Sequence, residues 1–105
     1  MARNVGVKVE SISIASGGTA EAFASSALPV NKFTLNAAVG NTSTVFVGDS
    51  SVSATNYMWA LTAGDGIAVD MGDTPKGDKI KLDLQHLYGL SATTGDDVSL
   101  GHFNI

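Results

Sequence analysis

The apolar positions near the start of the chain alternate with small and charged residues, which is typical of a half-buried β-strand. Val5, Val7 and Val9 share one parity, whereas Ile12 and Ile14 share the other. A strand changes its buried face only where an extra residue or a bend interrupts the pairing. The pattern therefore predicts a β-bulge or bend near residues 10–11.

The same period-two pattern recurs along the chain, and turn-forming residues such as Gly, Asp and Pro separate the segments. It is found at 33–37, 44–48, 57–61, 67–71 and 80–84, and the last of these has the cleanest alternation. Segment 19–27 fits either one helical turn or a weak strand. With 87–90 and the C-terminal segment, we expect about seven or eight short strands. We therefore predict a single all-β domain over residues 1–105, an antiparallel β-sandwich or small barrel.

The C-terminal segment VSLGHFNI is apolar on both faces of the predicted strand. Val98 and Leu100 have one parity, and Phe103 and Ile105 have the other. Either a neighbouring subunit covers the second face, or a bulge near Gly101 returns Phe103 to the same core. The pattern leaves both interpretations open.

Charged residues make up only 15% of the chain, against the usual quarter or so. The surface must be built from Ser, Thr, Asn and Gly, or other chains must cover part of it. The six basic residues are dispersed and the net charge is −4, so we expect no nucleic-acid partner. We also expect no membrane partner and production in a cytoplasm, because the chain shows neither a membrane-length apolar stretch nor the apolar core of a signal peptide. Without cysteine, disulfides and thiolate metal sites are excluded.

Candidate chemistry is sparse. Clustered carboxylates could bind Ca²⁺ or perform acid–base chemistry, but the cluster between residues 65 and 83 has no EF-hand spacing and is interleaved with lysines, which favours a solvated loop of mixed charge. The segment GDTPKGDK lacks the Gly-Lys-Ser/Thr of a phosphate loop.

His86 and His102 share no motif, and we expect both at the surface or at a strand edge. We predict no catalytic residue, no cofactor-binding residue, no metal ligand and no enzymatic activity. The aspartates of the cluster are Asp65, Asp70, Asp73, Asp78 and Asp83.

Trp59 lies in a Tyr-x-Trp-x-Leu alternation. We expect it to pack in the core, and a sugar-stacking platform is the alternative. In the segment NTSTVFVGDSSVSATN, we expect Val45 and Val47 on one face of a short strand, with Phe46 on the other.

Three stretches resemble a pattern found in small structural proteins of tailed bacteriophages. They are NTSTVFVGDSSVSATN, LTAGDGIAVDM and IKLDLQHLYGLSATTGDDVSL, within residues 33–100. The shared features are an Asn-Thr turn, a strand ending in Val-Gly, a Leu-x-Ala-Gly turn and a Leu-Asp-Leu…Leu-Tyr segment before a Thr-Gly-Asp turn. Ser43 stands where the pattern commonly has Gly.

The resemblance implies a structural virion protein, with a capsid decoration (cement) protein as the favoured assignment. Such a protein clamps a phage head by binding between major capsid subunits. Its expected partners are the major capsid protein and copies of itself in a homotrimer, and its expected location is the phage head, assembled in the host cytoplasm. The alternative is a tail, neck or head-fibre β module that binds a host-surface glycan or joins virion parts, using loops 48–56 and 72–78 with Tyr57 or Trp59.

For the capsid assignment we expect the contacts to lie in the N-terminal segment RNVGVKVESISI and the C-terminal HFNI. The predicted interface residues are Arg3, Val5, Val7, Ile12, Phe46, Leu100, Phe103 and Ile105.

Overall fold

A computed structural model describes residues 6–104, and side chains from 8 to 102. These residues form ten strands and one short 3₁₀ turn, Leu84–His86. The strands are β1 (Gly6–Ser13), β2 (Glu21–Ala22), β3 (Pro29–Val30), β4 (Lys32–Ala37), β5 (Val45–Gly48), β6 (Trp59–Leu61), β7 (Gly66–Asp70), β8 (Leu82–Asp83), β9 (Tyr88–Leu90) and β10 (Asp97–Asn104).

The strands build two antiparallel four-stranded sheets with a sandwich-like arrangement. Sheet 1 has the order β1-β10-β4-β7, sheet 2 has the order β2-β9-β5-β6, and β3 and β8 form a separate pair. Leu35 and Leu100 of sheet 1 and Val45 and Val47 of sheet 2 are completely buried in one core. The prediction of an all-β antiparallel domain is thereby confirmed.

The clearest agreement with the sequence is in β4 and β5. In β4 the exposed and buried residues alternate strictly from Lys32 to Ala37. In β5 Val45 and Val47 are buried and Phe46 is half-buried on the other face, as expected. A side chain at every second position enters the core because the strand period is two.

The predicted bulge near residues 10–11 is wrong. The pairing of β1 with β10 runs without interruption from Gly6 opposite Asn104 to Ser13 opposite Asp97. Ile14, just beyond the strand, continues into the core, whereas the side chain of Val9 stays 61% exposed on the outer face of sheet 1. A single exposed valine is tolerated at the surface, and the unbroken register keeps the pairing of β1 with β10 complete.

The interpretation that invoked a bulge near Gly101 is also wrong. β10 keeps one register with β1 and with β4 on both sides of Gly101. The buried parity of Val98 and Leu100 continues to His102. Residues 98–102 of the C-terminal segment thus lie between β1 and β4 in the middle of sheet 1, and the pairing with β1 continues to Asn104.

The cleanest alternation in the sequence, at 80–84, gives only the two-residue strand β8 before the 3₁₀ turn begins. The reason is Asp83, whose Oδ1 accepts hydrogen bonds from the backbone N–H of Leu28 at 2.9 Å and of Gln85 at 3.0 Å. The second of these bonds caps the turn and draws the backbone out of the extended conformation. Leu84 is buried beneath it, and Ile80 is exposed.

Segment 19–27 forms the weak strand β2 rather than a helical turn. Trp59 packs partly buried against the core, and its ring meets that of Phe33 edge-on at 6.5 Å between centroids. This contact joins sheet 2 to sheet 1 and agrees with the expected core position of Trp59.

Candidate interface residues and the Asp96 network

The predicted interface residues lie in three different environments. Arg3, Val5 and Ile105 fall outside the described residues. Val7 and Phe103 are backbone partners in the β1–β10 ladder, and their side chains are likewise outside the description. The N- and C-terminal candidates therefore remain predictions.

Ile12 and Leu100 point inward. Leu100 is completely buried, and Ile12 packs partly buried against the core. The Cδ1 atom of Ile12 would lie 2.7 Å from a Cβ placed on Gly89 of the opposite sheet, so the missing side chain of that glycine makes room for it. Leu100 offers no side-chain surface to another molecule, because residues of its own chain cover it completely.

Phe46 is the predicted interface residue that reaches the outer face of sheet 2. Its ring contacts that of Tyr57 at 5.0 Å between centroids, with a tilt of 43°. Tyr57 is 47% exposed, and its neighbour Met58 is more exposed still. Aromatic pairs open to water on one side are typical of contact surfaces.

The polar loop after β5 satisfies its own hydrogen bonds. Asp49 Oδ1 accepts from the backbone N–H of Ser51 at 2.9 Å and from its hydroxyl at 2.7 Å. Asn56 donates to the carbonyl and hydroxyl oxygens of the same serine, and Val52 is buried beneath the loop. The hydrogen bonds from Ser51 hold the pKa of Asp49 below its usual value. These groups are committed to the shape of the loop.

The first residues of the NTSTVFVGDSSVSATN segment bind a buried carboxylate that the sequence did not single out. Asp96 is 3% exposed. Its Oδ1 accepts the backbone N–H of Thr42 at 2.9 Å, and its Oδ2 accepts the backbone N–H of Ser43 at 3.0 Å. The hydroxyl of Ser91 donates to the same Oδ2 at 2.8 Å. We call Asp96 and these three partners the Asp96 network.

Further hydrogen bonds surround this network. The side-chain amide of Asn41 donates to the backbone carbonyl of Asp97 at 2.9 Å, and its Oδ1 accepts the backbone N–H of Asp97 at 2.8 Å. The hydroxyls of Ser43 and Thr93 lie 2.6 Å apart. The Asn-Thr turn and the Thr-Gly-Asp turn, two features of the resemblance, are thus joined at one end of the sandwich.

Two opposing effects act on the pKa of Asp96. Burial favours the neutral acid and by itself would raise the pKa. The hydrogen bonds from Thr42, Ser91 and Ser43 favour the carboxylate, and together they lower the pKa below its usual value. The carboxylate serves to fix two loops. The signal for Asp96 in the sequence is the pair of small polar turns, which lies outside the carboxylate cluster at 65–83.

Four of the five aspartates at 65–83, namely Asp65, Asp70, Asp73 and Asp83, have separate partners for their side chains. Asp65 accepts from the hydroxyl of Thr62 at 2.6 Å, a bond that lowers its pKa together with the Thr62 backbone N–H. Asp70 lies 3.7 Å from the ammonium of Lys32. In the same region Asp73 lies 3.1 Å from that of Lys79. Within residues 6–104, no group of three or more His, Asp or Glu side chains is placed to hold a metal ion.

The two histidines differ in their environments. The side chain of His86 is 74% exposed, as expected. His102 is buried, which corrects the expectation of a surface position, and neither ring nitrogen has a hydrogen-bond partner among the described residues. Its Nε2 lies 3.6 Å from Glu10 Oε1, beyond hydrogen-bond distance. The parity of β10 places His102 inside, since Val98 and Leu100 precede it at two-residue steps.

A shallow depression of about 320 Å³ lies on the outer face of sheet 1. The depression forms where Gly101 and Ala68, which have little or no side chain, stand on either side of Thr34 in the neighbouring strands β10 and β7. The charged groups at its rim, Lys32 and Asp70, pair with each other.

No family model matches the chain, and neither a curated protein nor a solved structure matches it. In the described part of the chain, no helix has the length and apolarity needed to cross a membrane.

Proposed function

We propose that this chain is a structural virion protein that decorates and stabilises a phage head by binding between major capsid subunits. The proposal starts from the resemblance of residues 33–100 to small virion proteins. The Asp96 network supports the proposal, because its hydrogen bonds join two of the turns that carry the resemblance into one folded unit. The homotrimer at threefold junctions belongs to the same proposal and rests on the resemblance.

The observation that carries the proposal is the distribution of exposed apolar side chains on a surface poor in charge. Val39 is 88% exposed near the Asp96 network, and Met58 is 67% exposed beside the aromatic pair. Val9 and Ile80 are exposed on β1 and in the loop before β8. These residues lie on several sides of the domain, as a protein held between neighbours requires. A single binding cleft would instead concentrate them in one place.

Such a protein works through many weak contacts. Each copy buries a few apolar side chains against its neighbours, and a strand edge adds backbone hydrogen bonds. Many copies on one particle act together, so modest individual affinities give a large total stabilisation.

The proposal is tested on purified particles that contain the chain. We expect on the order of hundreds of copies per particle by quantitative gel densitometry, because decoration sites repeat with the capsid lattice. Replacing Val39 by Ser should lower the occupancy and the heat resistance of the particle. The isolated domain should keep its melting temperature, because the side chain is in water.

The control is Ala54→Ser, which introduces the same hydroxyl group at another exposed loop position without removing a large apolar side chain. Only a few copies per particle would contradict the decoration role. Deletion of residues 101–105 would remove the predicted C-terminal contacts. It is nevertheless a poor test of them, because it also removes half of strand β10, which lies between β1 and β4.

The exposed ring of Tyr57 favours one second candidate, a glycan-binding tail, neck or fibre module. Tyr57 packs on Phe46 beside the Ser/Thr-rich loop after β5, and an open aromatic face can stack on a sugar. Glycan-array binding that Tyr57→Ala abolishes, with only a few copies per particle, would establish this role in place of the first.

A further inference from the structure

Strand β1 is the long open edge of sheet 1. It spans eight residues and pairs with β10 along its whole length. Among residues 6–104, no strand pairs with its other side. The other edges of the two four-stranded sheets, β7, β2 and β6, have five, two and three residues.

Proteins usually protect such an edge with a bulge, a proline, a short strand or charged side chains. The charged side chains of β1 are Lys8 and Glu10, which have opposite signs, so they repel most strands but can attract a second copy that pairs Lys8 with Glu10. β1 has an unbroken register in its pairing with β10, and its sequence, GVKVESIS, contains no proline. The unpaired N–H and C=O groups of this edge can form a ladder with another extended segment.

We propose that β1 pairs antiparallel with β1 of a second copy of the chain, which joins two molecules through one continuous eight-stranded sheet. A twofold axis perpendicular to the sheet places the outer faces of both copies on the same side of the joined sheet. Two residues that stand opposite each other across the axis therefore have both odd or both even numbers. The pairing does not depend on the capsid assignment, and it leaves the other surfaces free for further assembly.

The charges of β1 select the register. With Val9 opposite its counterpart, Lys8 of each copy faces Glu10 of the other, which gives two attractive cross-strand pairs. Moving the axis to Lys8 or to Glu10 would place like charges opposite each other, which is unfavourable. The favoured register pairs residues 6–12 of both strands.

The surroundings of these three residues fit this register. Val9 pairs within its own sheet with Gly101, so no neighbouring side chain covers it there, and the Val9 of the second copy would do so. Glu10 has a side chain that is 35% exposed, and its carboxylate lies 3.6 Å from His102. This distance is too long for a hydrogen bond, which leaves Glu10 able to bind the ammonium of Lys8 from the other copy.

One strand pair buries little surface, so we expect a weak dimer that forms with increasing concentration. Sedimentation velocity from about 5 to about 500 µM covers the range in which such association is measured. Lys8→Glu turns both attractive pairs into repulsive ones and should weaken the dimer about tenfold or more. Lys81→Glu, an exposed position in the loop before β8, makes the same change in net charge and should leave the dimer unchanged.

The double variant Lys8→Glu with Glu10→Lys exchanges the charges and should restore the dimer. Val9→Lys places two lysines together at the axis and should abolish the dimer. Because Val9 is exposed, this variant should keep its fold, and it tests the dimer even where Glu10→Lys disturbs the packing beside His102. Circular dichroism checks the fold of every variant. A chain that stays monomeric at the highest concentration would overturn the proposal, as would an oligomer that Lys8→Glu and Val9→Lys leave intact.

Discussion

Replacement of Asp96 by Asn tests whether the buried carboxylate holds the two loops together. The variant keeps the size of the side chain and removes its charge. Asp96 accepts three hydrogen bonds, with Thr42 on one oxygen and Ser43 and Ser91 on the other. An amide has one acceptor oxygen, so its NH₂ must face at least one backbone N–H.

The magnitude follows from these contacts. A buried donor left without a partner costs about 1–3 kcal/mol, and hydrogen bonds to a charged acceptor are stronger than those to a neutral one by roughly 1 kcal/mol each. We expect the free energy of unfolding to fall by about 3 kcal/mol. For a domain of this size, that lowers Tm by more than about 10 °C.

The assay is urea unfolding followed by the fluorescence of Trp59, the single tryptophan of the chain. Asp97→Asn is the matched control, because it makes the same chemical change at the adjacent, exposed aspartate. We expect the control to change the free energy of unfolding by less than about 0.5 kcal/mol. Equal stabilities of the two variants would refute the role assigned to the Asp96 network.

The pH dependence gives an independent check on the same carboxylate. The pKa of Asp96 in the folded protein is lowered, and the unfolded chain has a value near 3.9. The ionised group therefore stabilises the fold above about pH 4, and this contribution disappears as the pH falls through the folded-state pKa. The stability difference between wild type and Asp96→Asn should shrink on acidification, and a difference that grows would contradict this assignment.

Substitutions at Gly17 and His102 test local packing, and Gly66→Ala is the control for the first. A Cβ on Gly17 would collide with the backbone carbonyl oxygen of Ala92, so Gly17→Ala should lower the free energy of unfolding by about 1–3 kcal/mol in urea titrations. At Gly66 the one close contact of an added Cβ is the side-chain oxygen of Asn36, which can rotate away, whereas the backbone oxygen of Leu35 lies at an ordinary contact distance of 3.5 Å. Gly66→Ala should therefore cost less than Gly17→Ala, and an equal loss in the two variants would contradict this reasoning. His102→Leu removes two buried nitrogens that have no partner in the described part of the chain, so thermal unfolding should show unchanged or higher stability, by about 0–2 kcal/mol. A loss above about 1 kcal/mol would mean that the imidazole itself stabilises the fold.

The alternating pattern predicted the strands well where one face of a strand packs on the core. β4 is the clearest case, since its buried residues occupy every second position. The pattern failed at 80–84, where Asp83 caps the 3₁₀ turn through the backbone N–H of Gln85 and also accepts a hydrogen bond from Leu28, 55 residues earlier. The alternation of apolar and polar residues shows neither the cap nor so distant a partner.

Parity also misled where it was interpreted without knowledge of the neighbouring strands. Val9 and Ile12 indicated a bulge, but β1 is an edge strand and leaves Val9 in water. For His102 parity was the better guide. The expected surface or strand-edge position is wrong, because the side chain follows Val98 and Leu100 into the core at two-residue steps.

By itself, the sequence determined an all-β domain with antiparallel short strands, without thiol chemistry, and with few charges to cover its surface. These properties follow from period and composition, which are local quantities. The tertiary structure decided which strands became edges, which interface candidates turned inward, and how Asp96 holds residues more than 50 positions away. A hydrogen bond or a buried contact depends on distance in space, and chain folding brings together groups whose separation along the sequence carries no such information.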